Sequence, residues 1–321
     1  MHGRASSICK PLFDIEAGSP RSPMSPNEPD SPRSPSPTLN QRIPAHRRFI
    51  NCLYSDIDGP NVHWAAVYMA FLTGMTAAPS FAACFVWCGF QTGNAAQLGL
   101  AIARHMVPDH QLSEEQRFGF QKMDQQALVS LLSFCLATMI GQIGNRVGGK
   151  KRVWLVGATL GQMLLMGMAS LLAHLSGETG LATARGDPSW ATPTGMSALA
   201  FLSAAIGLQG AVGTKLGTPM GTTVPLTSTW IDLFNDPFLF AFRHVRTRDV
   251  RAFGCLALIS GAMISRIILG YIGSAETIAV CLAFRALLLV FWFAIPDAEP
   301  RLGGGGDGEQ VEAVEEGLEK P

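Results

Sequence analysis

Between Val62 and Met106 the chain is almost free of charge, and a polar run, Gln91-Thr92-Gly93-Asn94, interrupts that stretch. These residue types bind rather than react. Thr92 and Asn94 offer side-chain donors and acceptors, and Gly93 lets a backbone or a ligand approach closely. In hydrocarbon an unpaired backbone amide costs several kcal/mol, so irregular backbone at membrane depth survives only where protein or a water-filled cavity satisfies it. The run is therefore either a loop or a substrate-binding site. The other polar residues that complete a candidate binding set are Gln209, Thr227, Asp232 and Arg285. No nucleophile and base pair off by spacing, so no catalytic residue is assigned. The chain has no C-x-x-C pair, no glycine-rich phosphate loop and no H-E-x-x-H pattern, and it implies neither a cofactor nor a metal.

Two arginines stand inside apolar segments, Arg266 and Arg285. A centrally placed Arg costs about 2.5–3.5 kcal/mol on insertion scales and needs compensation. Arg266 lies close enough to the end of its segment to snorkel to the surface, whereas Arg285 is nearer the middle. Asp232 is an available partner for either, or else a helix residue on an interfacial segment. Gln142, Gln162 and Gln209 read first as interhelical hydrogen-bond formers.

The elements that must position these residues follow from composition. Hydrophobic residues make up 48% of the chain and charged residues 15%, well below the roughly 25% charge of soluble domains. The charges crowd into the first 58 residues, the tail after Pro296 and short clusters between, leaving apolar runs long enough for a bilayer core of about 30 Å. This predicts an all-α fold, a polytopic transmembrane helical bundle. A formal net charge of zero argues against a polyanionic partner, so no nucleic acid is expected; the lipid bilayer is the expected surrounding.

Six segments qualify as spans: Val62 to about Trp87, Ala127 to Gly144, Val153 to Leu175, Gly195 to Thr214, Ala252 to Ile272 and Thr277 to Ile295. Basic clusters at Arg42, Arg47 and Arg48, at Arg146 to Arg152, and at Arg243 to Arg251 belong on the cytoplasmic side. An even number of crossings must then separate Arg48 from Arg146. The economical solution is one full helix, a break at Gln91 to Asn94, and a half-helix, Ala95 to Met106, that enters without crossing. Six spans place both termini in the cytoplasm; the competing count is seven, with one terminus outside. If Ala95 to Met106 is a half-helix, its amides point into the break with the positive end of the dipole. The alternative makes Asn94 an N-cap of an interfacial helix.

The first span carries Ala66, Ala70, Gly74, Ala78 and Ala82 at every fourth position, a smooth stripe for a closely approaching helix, and Pro79 is placed to kink it. The second half echoes the first. Gly74 to Ala78 precedes Thr92-Gly93-Asn94 much as Gly207 to Ala211 precedes Thr227-Ser228-Thr229, and two further spans close each half. Two weak repeats of three crossings each would be inverted relative to one another.

At these residues a family resemblance enters. Phe85 to Asn94 with Leu98-Gly99, the Gly207-Leu208-Gln209 turn, and Thr222 to Thr227 with Asp232-Leu233 resemble the YoaK-like family of uncharacterised multispanning membrane proteins, over roughly residues 60 to 297. The resemblance implies a membrane fold and names no reaction. Where the family pattern has Asp in the first span this chain has Ala77, and where the second motif has Asn it has Gly210. A coupled-ion mechanism centred on position 77 is therefore not expected.

Three regions result: a Ser/Pro-rich tail (1–58), a transmembrane domain (59–297) and a Gly/Glu-rich tail (298–321). The first tail carries Ser-Pro at Ser19, Ser22, Ser25, Ser31, Ser34 and Ser36, targets for a proline-directed kinase, and is too polar to fold alone. The functional expectation is a transporter of a small-molecule solute with its site between the repeats; the alternative is a membrane scaffold acting through the phosphorylatable tail.

Overall fold

A computed structural model describes residues 45–57, 61–106, 120–184 and 186–298. The Ser-Pro sites and the Glu-rich tail lie outside the described residues. On the tail side of the expected boundary at 58, Ala45–Tyr54 form a helix, α1. Its Phe49 stacks on Phe293, ring centroids 6.3 Å apart, which gives this amphipathic stretch an apolar partner.

The described residues then run through α2 (Asn61–Cys84), α3 (Gln91–Met106), α4 (Lys122–Ile140), α5 (Ile143–Val147), α6 (Arg152–Ser176), α7 (Pro193–Leu216), α8 (Thr227–Phe234), α9 (Arg246–Ile272) and α10 (Ser274–Ala294). Among them, six helices are long and apolar enough to cross a membrane: α2, α4 continuing into α5, α6, α7, α9 and α10. The protein is an integral, multi-pass membrane protein with an all-α bundle. The 16 residues of α3 rise about 24 Å at 1.5 Å per residue, short of a bilayer core. Six spans, not seven, result.

Contacts between chain segments fix which end is which. Asp56 bridges Lys151, Ile57 bridges Asp297, Gly149 sits against the Lys215 side chain, and Arg251 donates to the carbonyl of Pro219 at 3.3 Å. The described residues of each expected basic cluster therefore lie at one end of the bundle, joined there by Lys215, while Arg42 lies outside the described residues. Arg152 ties this end together. It is fully buried, donates to the Trp292 carbonyl at 2.9 Å, and reaches Ser55, Asp297 and the carbonyl of Ile295. At the far end, the 177–192 connection hydrogen-bonds the carbonyls of Ala82 and Ala83, both at 2.8 Å. Helix α2 thus runs from the basic end to the far end, and α7 runs back.

The packing repeats across this reversal. Helix α2 packs on α9 and α7 packs on α4; α2 also meets α10 as α7 meets α6; α6 and α10 meet each other, as do α2 and α7. The first helix of each half thus lies against the second crossing of the other half, the arrangement of an inverted repeat. Glycine makes both crossings close. A Cβ on Gly74 would stand 2.1 Å from the carbonyl oxygen of Leu258, and one on Gly261 2.1 Å from that of Phe71. On the other side a Cβ on Gly207 would stand 2.4 Å from the carbonyl oxygen of Phe134. The small-residue stripe of α2 is the α9 contact: Ala66, Ala70 and Gly74 are all buried.

Pro79 lies inside α2. It has no N–H to give the carbonyl of Met75, and the Cys281 thiol of α10 donates to that carbonyl instead, at 3.4 Å. Arg266 lies on the outside of α9, its guanidinium beside Gly270 toward the far end. That is the snorkelling arrangement.

Candidate functional site

Two irregular segments fold back into the bundle, one from each end. After Cys84 the chain leaves the helix at Phe85, whose φ of 54° is in the left-handed region that bulky residues rarely adopt. It then turns inward. The backbone N–H of Cys88 donates to Ser80 Oγ at 3.3 Å, and its thiol reaches the carbonyl of Thr76 at 3.6 Å, about two turns below the end of α2. From there α3 climbs back toward the far end, where Arg104 pairs with the buried Asp124 of α4. The half-helix is therefore re-entrant, as expected. The break, however, is Phe85–Phe90, and Gln91 to Asn94 form the first turn of α3 rather than the interruption.

Those residues hold the break in place. Asn94 is buried; its Nδ2 donates to the carbonyl of Trp87 (2.8 Å), to Gln91 Oε1 (2.8 Å) and to Ser130 Oγ (3.2 Å). Gln91 Nε2 donates to the carbonyl of Cys88 at 2.9 Å, and Ser130 in turn bonds Ser203 of α7 at 2.9 Å. The irregular carbonyls are thereby satisfied by side chains from α3 and α4, which is how such backbone survives at membrane depth. Asn94 is not an N-cap. Thr92 and Gly93 face outward, and a Cβ on Gly93 would meet nothing within 4 Å.

The second segment, 217–226, enters from the basic end after α7. Gly213 permits its approach, since a Cβ there would stand 3.0 Å from the backbone nitrogen of Thr223. Thr223 is fully buried, and its carbonyl accepts from Thr73 Oγ1 at 2.8 Å. The two re-entrant segments touch: a Cβ on Gly89 would stand 3.1 Å from the Val224 side chain and 3.0 Å from Ile206.

Beside this meeting point lies a polar centre with one charge. Arg285 is fully buried. Its Nη1 donates to Gln209 Oε1 at 2.8 Å and to Gln162 Oε1, its Nη2 to Thr76 Oγ1 at 3.3 Å, and its Nε approaches the Met166 sulfur at 3.0 Å. Among the described residues no carboxylate forms an ion pair with it. Gln209 passes the network on, its Nε2 donating to the carbonyl of Met69 (2.9 Å) and to Thr73 Oγ1 (2.7 Å) and lying 3.4 Å from Thr223 Oγ1. The Nε2 of Gln162, also buried, has no partner among the described residues. Four spans, α2, α6, α7 and α10, and one re-entrant segment thus share a single hydrogen-bonded cluster. Thr76 follows Gly74 by two residues, as Gln209 follows Gly207, so the repeat register puts equivalent positions of the two halves on the same guanidinium.

A pocket of about 410 Å³ lies between α4, α7 and the 217–226 segment, lined among others by Thr138, Gln142, Gly210, Lys215, Thr222 and Val224. Lys215 is in the last turn of α7, which places the pocket at the basic end. Its Nζ donates to the carbonyl of Ala211 at 3.3 Å, and among the described residues no carboxylate pairs with it. Val224, which lines this pocket, packs against Gly89, and its chain neighbour Thr223 belongs to the central network.

The expected binding set is divided. Gln209 and Arg285 come together at the centre. Gln91 and Asn94 come together with Ser130 around the first break. Thr227 is exposed at the start of α8. Asp232 is exposed on the same helix and faces Arg251 at 3.6 Å, so it partners neither Arg285 nor Arg266. Thr223 belongs to the Thr222 to Thr227 motif of the family resemblance, whereas no motif marks Thr73 or Thr76. The alignment of Gly74 with Gly207 carried the signal for Thr76, since it sets that residue opposite Gln209. No group of three or more His, Cys, Asp or Glu able to hold a metal occurs among the described residues.

Neither a curated protein nor a solved structure matches the chain. A family model does, over residues 65–291, which spans every helix of the bundle's interior from α2 to α10. The chain belongs to that family, DUF1275, described as a protein of unknown function.

Proposed function

We propose that the protein is a transporter of a small solute, with its site between the two halves of the bundle. The observation that carries this reading is the meeting of two re-entrant segments, one from each end, beside a buried Arg285. Irregular backbone and an intramembrane charge are both expensive, and transporters place broken helices and their polar residues together near the midplane. The present arrangement is closed. The pocket at Lys215 provides the approach from the basic end, and Val224 with Gly89 forms the barrier between that approach and the far side. On the positive-inside rule the basic end, with both termini, faces the cytoplasm. Gln162, Gln209, Thr76 and Arg285 contact the solute, while Gln91 and Asn94 hold the barrier.

The test is uptake into proteoliposomes of a panel of labelled sugars, amino acids, nucleobases and inorganic anions. A solute carried by the parent protein should lose at least tenfold in rate with Arg285→Gln, and rate should also fall with Asn94→Ala. Unchanged flux in both variants would sink the proposed site.

A further inference from the structure

We infer that the occupant of the central site is a small monovalent anion, of the size of chloride, nitrate or formate. Substrate class rests here on the binding centre alone; only its movement across the membrane rests on the transport reading. The guanidinium of Arg285 is fully buried, and the oxygens it meets are amide and hydroxyl oxygens from Gln162, Gln209 and Thr76. These carry partial charges, so they satisfy hydrogen bonds without neutralising a full positive charge. Beside them the Nε2 of Gln162 is a buried donor with no acceptor. Among the described residues the cluster is therefore short of one kind of group, an acceptor bearing negative charge. One unpaired cation calls for one negative charge, and a fully enclosed centre calls for a small ion. Lys215, which donates to the carbonyl of Ala211 and among the described residues pairs with no carboxylate, lines the pocket at the basic end and draws the same class of ligand toward the bundle.

The experiment measures thermal unfolding of the full-length protein in nanodiscs at constant ionic strength, with sodium gluconate replaced stepwise by sodium chloride, nitrate or formate. Binding to the folded state alone raises Tm saturably, by roughly 5–10 °C at a hundredfold excess over Kd. Arg285→Gln should abolish the rise. Because that variant also removes hydrogen bonds, Gln162→Glu serves as a second. It supplies a built-in carboxylate to Arg285, so it should fold at least as well as the parent and show no anion-dependent rise. An absent rise in the parent overturns the inference, and so does an equal rise in parent and Gln162→Glu, which marks a general salt effect. If the anion rise is present but no anion flux is seen, the inference stands and the transport reading fails. If a neutral or cationic solute is carried with dependence on Arg285 and no anion rise is seen, transport stands and the inference fails.

Discussion

Gln209 accepts from Arg285 at 2.8 Å and spends its own amide hydrogens on α2, at the Met69 carbonyl and Thr73. One side chain thus connects the charge on α10 to the helix that crosses α9. Gln209→Leu keeps the size and removes all of these bonds. Lost hydrogen bonds to charged groups cost about 1.5–3 kcal/mol each with partners left buried. The expected outcome is a loss of that order or more in unfolding stability, against less than about 0.5 kcal/mol for Gln142→Leu, whose side chain is exposed. Equal effects would show that the network contributes nothing special.

Within the Gln91 to Asn94 turn, neighbouring residues should behave differently. Asn94→Ala removes the shorter of two bonds to the carbonyl of Trp87, leaving only Ser130 Oγ at 3.3 Å among the described residues, and takes the donor from Gln91 Oε1; it is expected to cost about 1–3 kcal/mol. Thr92→Ala removes an outward-facing hydroxyl and should be near neutral. Thermal unfolding of the two variants side by side checks this. A binding role without a structural one would instead leave the stability of both unchanged.

Backbone contact at the α2 and α9 crossing makes a steric prediction. Gly74→Ala places a methyl against the Leu258 carbonyl, a neighbour that cannot rotate away, and overpacking of this kind costs typically about 1–3 kcal/mol. Gly157→Ala, where a Cβ meets nothing within 4 Å, should be neutral or stabilising by up to about 1 kcal/mol, since alanine is the better helix former. Reversal of this order would place the close crossing elsewhere.

Topology is open to direct labelling. Cysteines introduced at Lys122 and Thr179 should react with an impermeant reagent from one side of the membrane, and a cysteine at Lys150 from the other. The Lys122 position is the informative one. If α3 crossed the bilayer, Lys122 would label from the same side as a cysteine at Arg48 on α1, and the re-entrant description would fall.

The six spans were legible because hydropathy and length act over twenty residues at a time, and the basic clusters then fixed which connections share an end. The re-entrant half-helix followed from the same arithmetic. Its break was misplaced by several residues for a definite reason. Polarity marked Gln91 to Asn94, but the irregular residues, Phe85 to Phe90, are mostly apolar because their side chains pack into the core. The polar residues sit one turn later, where their side chains can reach back to satisfy the irregular carbonyls. Arg285 was recognisable as a buried charge and Gln162 and Gln209 as interhelical hydrogen-bond formers, yet their pairing was not, since matching opposite charges pointed to Asp232. Neutral amides carry no sign that names a partner, and only the register between the two halves, Gly74 with Gly207, set Thr76 beside Gln209.

Pro79 and Cys281 lie far apart in sequence yet amount to a single choice. The proline strips a donor from the Met75 carbonyl, and the thiol restores one from a different helix. Their substitutions should accordingly be epistatic: Cys281→Val harms the parent, but much less so once Pro79→Ala has returned the backbone N–H. The gap in the α2 hydrogen-bond ladder and the thiol of α10 that fills it therefore act as one unit.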